Sequence, residues 1–282
     1  VGVVVAWSAA VTAAAAAGSG GTEYSVVACR QLVGVLALVL VRRSLEGVIR
    51  DVAVEACRTG LLGIAGNKGG VVIRMAVGPR LPPDAPLAPT TLCVVVAHLS
   101  AHIRNLPQRN AEYSAIMAGP RFPTAPDRPG RPLYPQCAQK GEEWMPPDVL
   151  GHDAVVLVGD LNYRIDGLES AAIRAAAREG RVAELLVHDQ LSRERANGHV
   201  LLGFREAPVT FRPTYKFDAG TDDYDSSPKQ RAPAYCDRIL WRGRALQVEW
   251  YGSVGEVRAS DHRPVAARLR LSYRAAFRPA AL

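Results

Sequence analysis

No CxxC pair, no internal repeat and no apolar run long enough to span a membrane occurs in these 282 residues, and each absence removes a class of protein. The five cysteines (Cys29, Cys57, Cys93, Cys137, Cys236) are odd in number and far apart, which excludes a zinc ribbon and a disulfide framework and points to reduced thiols in an intracellular protein. There is no initiating Met: the chain opens on Val1, and sequence upstream of it is expected. The stretch from Val1 to Gly18 has no basic segment in front of its apolar part, so it reads as an Ala-rich helix with Trp7 on its packed face, not as a signal peptide. GNKGG is shorter than a Walker loop and no helix is expected after it, while HLSAH lacks the glutamate that zinc protease chemistry requires between its histidines.

What is present is an ordinary globular composition, 48% hydrophobic and 22% charged, with 34 basic against 27 acidic residues for a net charge of +7. That balance favours an anionic partner: nucleic acid, a membrane surface or a phosphorylated small molecule. Val/Ile/Leu-rich runs predict two strands within 24–43 and others at 49–57, 69–77, 91–97, 238–241, 245–251 and 264–272. An amphipathic helix is predicted at 106–118. A capping box of Asp166 and Glu169 is expected to start another, which Gly180 ends, and more helix follows to about Ala196. Segment 119–147 holds eight prolines and reads as a surface insertion, with a smaller loop of the same kind at 80–89. Strands of similar character lie on both sides of each, so residues 1–282 form one domain.

The central stretch is VVLVGDLNYR. Its apolar run, Ala154 to Val158, predicts a strand covered on both faces that stops at Gly159. Asp160 and Asn162 are two apart, so on extended backbone they point to one side; a carboxylate that takes a proton from water beside an amide that donates to a phosphoryl oxygen suits hydrolysis. Gly-Asp-x-Asn also occurs as a plain turn. His98 follows another strand and can donate to a phosphate or bond a nearby carbonyl. The polar segment 211–241 brings Lys216, Lys229 and Arg231 around Asp218, Asp222, Asp223 and Asp225, a pattern that a solvated charged loop also produces. Asp237 before one strand and Asp261-His262 before the last suggest a carboxylate that orients a ring and favours imidazolium.

GNKGG, HLSAH, GDLNYR, PTYK with KQRAPAYCDRILW, and SDHRPV occur in the order found in inositol polyphosphate 5-phosphatases, and from Tyr24 to about Ser272 the chain resembles that family, most like its type II group. The resemblance implies an α/β fold, a four-layer α/β/β/α sandwich of two packed mixed β-sheets flanked by helices. It implies magnesium-dependent removal of the 5-phosphate from phosphoinositides or soluble inositol polyphosphates by a monomeric catalytic domain, cytoplasmic and peripheral at membranes. By the same resemblance Asp160 is the base with Asn162 beside it, His262 pairs with Asp237, and His98 meets the scissile phosphate. Arg164 faces the substrate, Tyr215, Lys216, Lys229 and Arg231 grip the 4-phosphate, and Asn67 and Lys68 lie toward the 1-phosphate side. Asp160 and Asp261 are the available magnesium ligands. Two departures stand out: Tyr235 where the family usually has Trp, and no counterpart of the family's first-strand asparagine or of its metal-binding glutamate in a Gln-Glu pair. The second keeps open a silent lipid-binding module as an alternative, and predicts weak magnesium binding by this chain with recovery when upstream sequence is restored. An endonuclease on the same scaffold is the other alternative, opposed by the four aspartates; no nucleic-acid partner is expected. Leu61, Leu62 and Ile64 are candidates for shallow membrane insertion.

Overall fold

The computed structural model describes residues 2–32, 34–60, 68–79, 89–122 and 145–273. Asn67, the apolar trio Leu61, Leu62 and Ile64, and most of the Pro-rich insertion lie outside the described residues.

Among the described residues, nine strands and five α-helices follow in the order α1 (Gly2–Gly18), β1 (Tyr24–Leu32), β2 (Val35–Arg42), β3 (Ile49–Arg58), β4 (Gly69–Val77), β5 (Thr90–His98), α2 (Leu106–Ala118), β6 (Ala154–Asp160), α3 (Ser170–Arg178), α4 (Val182–Val187), α5 (Gln190–Ala196), β7 (Asp237–Arg242), β8 (Leu246–Ser253) and β9 (Val265–Leu271). β3-β4-β5-β6-β7 form one mixed sheet in which only the β5–β6 pair is parallel. A parallel pair needs a long crossover, and α2 lies in it.

Alternation along each strand sends side chains to opposite faces. One face of the large sheet buries Val72, Cys93, Val95, Val155 and Leu157 beneath α2. The other buries Val71, Ile73 and Met75 against Ala28, Leu32 and Ala37 of the β1–β2 hairpin. On that same face Val156 and Trp241 pack against Leu246, Leu269 and Leu271 of β8 and β9. α1 packs on β1. The layers are therefore helix, sheet, sheet, helix. This is the expected four-layer sandwich, and among the described residues its second β layer consists of two antiparallel ladders, β1-β2 and β8-β9. Burial against the large sheet holds each ladder in place.

Two local expectations are corrected. Trp7 is on the outer face of α1 and 59% exposed, because the half-buried positions are Val4, Ser8, Thr12, Ala15 and Ala16. Asp166 does not cap α3; its carboxylate pairs with Arg193 at 3.2 Å, and the helix starts at Ser170 with Glu169 as N-cap and no side-chain cap bond. The end of that helix follows the sequence, with Gly180 in the left-handed region at φ 72°.

Candidate active site

The large sheet ends in a polar row. Hydrogen-bond register places Gly69 opposite His98, His98 opposite Asp160, and Asp160 opposite Asp237, so β4, β5, β6 and β7 deliver these residues side by side at one edge. Gly159 is required there: its φ is 141°, and a Cβ at that position would lie 1.9 Å from the Ala97 carbonyl oxygen.

Asp160 Oδ1 accepts from the Asn162 amide at 3.0 Å, while Oδ2 lies 3.3 Å from His98 Nε2. His98 Nδ1 faces the Gly34 carbonyl oxygen at 3.3 Å, and since a carbonyl only accepts, that nitrogen carries the proton in the neutral ring. His98 Nε2 then holds a lone pair, and Lys68 Nζ donates to it. Lys68 thus reaches the row of strand ends. Burial lowers the Lys68 pKa, opposed by the nearby Asp160 charge.

Asn162 departs from the expected geometry. The strand ends at Asp160, and Asn162 turns left-handed at φ 56°, so the two side chains do not share an extended face. It is 3% exposed; its side-chain Nδ2 donates to the Leu99 carbonyl at 3.0 Å and its Oδ1 accepts from Arg164. Asn162 therefore shapes the turn and aims Arg164. The Arg164 guanidinium lies 4.6 Å from the Tyr215 ring centroid, and both line, with His102 and Arg231, a cleft of about 490 Å³.

The expected His262–Asp237 pair is formed. His262 Nδ1 lies 2.8 Å from Asp237 Oδ2, and Thr214 Oγ1 donates to the same oxygen at 2.7 Å. Burial by itself would lower the His262 pKa, but the bond to Asp237 and the surrounding carboxylates raise it, so the ring holds its proton above the ordinary range. The ring also sits 4.8 Å from that of Tyr215. Lys216 Nζ is engaged by Asp261 at 3.0 Å, and that bond raises its pKa. Lys229 is exposed and does not line the cleft with Arg231.

The aspartates of 218–225 are not uniformly solvated: Asp222 and Asp223 are exposed, Asp218 is half-buried and Asp225 is buried. Asp225 is 1% exposed and accepts from the Arg231 amide at 2.8 Å, while Asp222 pairs with Arg258 at 2.6 Å. Arg174 on α3 donates to the carbonyls of Tyr224, Asp225 and Arg231 at 3.2, 2.9 and 3.0 Å, which fixes the loop that carries Arg231.

Sequence reasoning passed over Arg109 on α2, a fully buried residue. It donates to the carbonyls of Ser100 (3.0 Å) and His102 (2.7 Å) and to Gln190 Oε1 (2.6 Å), which also accepts from the Arg164 amide at 3.1 Å. Two active-site loops are joined through this one guanidinium, and His102 is held at φ 75°. Only the spacing of Arg109 and Glu112 on the otherwise apolar face of α2 hinted at it. Arg109→Met is expected to cost about 3 kcal/mol, the scale for breaking a buried charged network, read from urea unfolding, and to speed hydrogen exchange at the Arg164 amide; parental exchange there would refute the bridging role.

Magnesium ligation has partial support from the residues. Asp160 and Asp261 are carboxylates at the row, but each faces a cationic or potentially cationic group, and among the described residues no group of three His, Cys, Asp or Glu side chains is arranged to hold a metal ion. These residues do not make a metal site by themselves.

Residues 3–268 match the model of the endonuclease/exonuclease/phosphatase family 2. The inositol polyphosphate 5-phosphatase domain of SPsynaptojanin, solved with inositol (1,4)-bisphosphate and a calcium ion, superposes with a TM-score of 0.76 at 34% identity, covering 95% of this chain and 68% of that one. This chain belongs to the endonuclease/exonuclease/phosphatase family, among the inositol polyphosphate 5-phosphatases. The type II inositol 1,4,5-trisphosphate 5-phosphatase of Mus musculus is 37% identical to this 5-phosphatase-family chain over 244 residues, 86% of the chain and 22% of that protein. Human synaptojanin-1 is 35% identical over 274 residues, 87% of the chain and 15% of that protein. The chain thus spans about a fifth or less of the length of these curated relatives. No helix among the described residues is long and apolar enough to cross a membrane.

Proposed function

We propose that this chain removes the 5-phosphate from inositol polyphosphates and phosphoinositides by attack of water on phosphorus. The observation that carries the reading is the register row, in which His98, Asp160 and Asp237 stand on adjacent strand ends with Lys68 and His262 bonded to its two flanks. Asp160 takes the proton from the attacking water. The His262 imidazolium, held by Asp237, donates toward the phosphoryl or leaving oxygen, and Lys68 adds positive charge on the other flank. Arg164, Tyr215 and Arg231 bind a ring phosphate other than the one cleaved, which lends binding energy to alignment.

Inositol (1,4)-bisphosphate, bound in the SPsynaptojanin structure, is what 5-phosphate removal leaves from a 1,4,5-trisphosphate. We further propose that turnover needs a divalent cation, magnesium in this chain. Such an ion takes one or two protein carboxylates and completes its shell with water and substrate phosphate, so it binds the free protein weakly. The protein is proposed to act as a monomer, cytoplasmic and peripheral at phosphoinositide membranes.

The test is phosphate release from soluble and vesicle-borne substrates with and without a 5-phosphate, in magnesium and in EDTA. Release confined to 5-phosphorylated substrates and abolished by EDTA is expected; substrate binding without release in any condition would favour a silent lipid-binding module. Arg231→Ala is expected to penalise 4,5-bisphosphorylated substrates at least about tenfold more than those lacking the 4-phosphate, the worth of one charge-assisted pair. Lys216→Ala is expected to act in the same direction, with release of Asp261 added. Equal losses on both substrate sets would reduce the cluster to a general anion attractor.

A further inference from the structure

The opposite end of the large sheet carries a second basic site. The β6–β7 register that sets Asp160 beside Asp237 sets Val155 beside Arg242 at the other end, roughly 17 Å away at ~3.3 Å per residue. A cleft of about 500 Å³ opens there, walled by Arg205, Arg242 and Arg244 together with His152, Asp153 and Leu150. That volume falls in the ~300–1,000 Å³ range of small-molecule sites.

Two of these arginines are held by carbonyls and not by acids. Arg205 donates to the carbonyls of Gly243 at 2.7 Å and Leu246 at 3.0 Å, with its guanidinium 5.9 Å from the Trp241 ring centroid. Arg242 donates to the Leu150 carbonyl at 2.7 Å, and Arg244 is exposed. None of the three forms an ion pair among the described residues, whereas the buried Arg238 of the same strand as Arg242 is paired with both Asp189 and Glu206. Asp153 is the one acid of the wall, and its carboxylate already accepts from the Thr91 amide at 2.9 Å and hydroxyl at 3.1 Å. Burial lowers the His152 pKa, so that ring adds no charge near neutrality.

Three guanidinia in one concavity against a single carboxylate repel one another, and an anion seated among them removes that cost. Carbonyl anchors leave the remaining N–H groups pre-set in direction, and the guanidinium fork matches phosphate oxygens two at a time. We propose that this cleft is a second anion site, taking the phosphate group of a soluble phosphorylated small molecule through Arg205, Arg242 and Arg244, apart from the catalytic row. The site faces away from the edge that meets the substrate, so a ligand there does not compete with it sterically.

Inorganic phosphate titrated into the full chain by calorimetry tests this with three variants. Arg244→Ala touches no described partner and leaves the fold intact; Arg242→Gln/Arg244→Ala removes two of the three cations; Lys216→Ala/Arg231→Ala weakens only the catalytic end. The expected result is a phosphate site weakened at least about tenfold by the Arg242/Arg244 variant, and in the same direction by Arg244→Ala alone, yet untouched by the Lys216/Arg231 variant. Phosphate binding that survives Arg242→Gln/Arg244→Ala within about twofold, that is lost only with Lys216 and Arg231, or that is absent from the parent overturns the proposal. The titration reads binding alone, so a failure here is distinguishable from a failure to release phosphate at the catalytic row.

Discussion

Asp160→Ala is expected to lower phosphate release by about 10³-fold or more, near the upper part of what a positioned base contributes, with little change in the urea midpoint. The fold tolerates the change because the carboxylate stands at a strand end, partly exposed, with one hydrogen bond from the Asn162 amide and contact with His98. Its removal leaves no apolar cavity. Asp160→Asn separates charge from shape: the amide oxygen can still receive the Asn162 N–H, so a loss as large as that of the Ala variant assigns the effect to proton acceptance. Malachite-green phosphate release on a soluble trisphosphate is the measurement, and a rate within threefold of the parent, about 0.7 kcal/mol in barrier, would remove Asp160 from the role of base.

Asn162 illustrates how far the residues could be read before the structure. The motif GDLNYR placed a polar tetrad at the end of a buried strand, and the strand, its end and the exposure of Asp160 follow from hydrophobic runs and a glycine. The direction of Asn162 did not, because it depends on a left-handed turn that local pattern does not announce, and on the Leu99 carbonyl sixty-three residues away. The contact of Lys68 with His98 was hidden for the same reason: it is set by β4–β5 register, a long-range fact. Arg109 was barely hinted at and Arg174 not at all. Arg174 acts through main-chain carbonyls fifty or more residues away, and Arg109 ties nearby carbonyls to the Gln190 side chain eighty-one residues on; neither link leaves a mark in local sequence. By contrast the His262–Asp237 pair was legible, since Asp237 stands at the very start of a strand and His262 shortly before the last one, where a polar side chain needs a partner.

Asp237→Asn is expected to lower turnover by roughly 10²-fold near neutral pH, within the range for general acid catalysis, and to move the alkaline limb of the kcat profile to lower pH. The sign follows from the environment of His262. Burial favours the neutral ring, and in the parent the Asp237 bond and charge outweigh it, so the proton stays on at a pH where a free histidine has lost it. Asn can keep the Nδ1 hydrogen bond and so the ring orientation, but it removes the negative charge, and burial then prevails. Thr214 is left bonded to an amide oxygen in place of a carboxylate. The same linkage governs stability. A group whose folded pKa is raised contributes fully below its unfolded pKa, about 6.5 for histidine, and loses that contribution as pH rises through the folded value. The stability gap between parent and Asp237→Asn is therefore expected to be wide in mildly acidic buffer and to close on the alkaline side. Urea melts at a series of pH values read the stability gap, and kcat profiles read the limb. A variant whose kcat profile keeps the parental alkaline limb would show that His262 does not act as the protonated partner of Asp237.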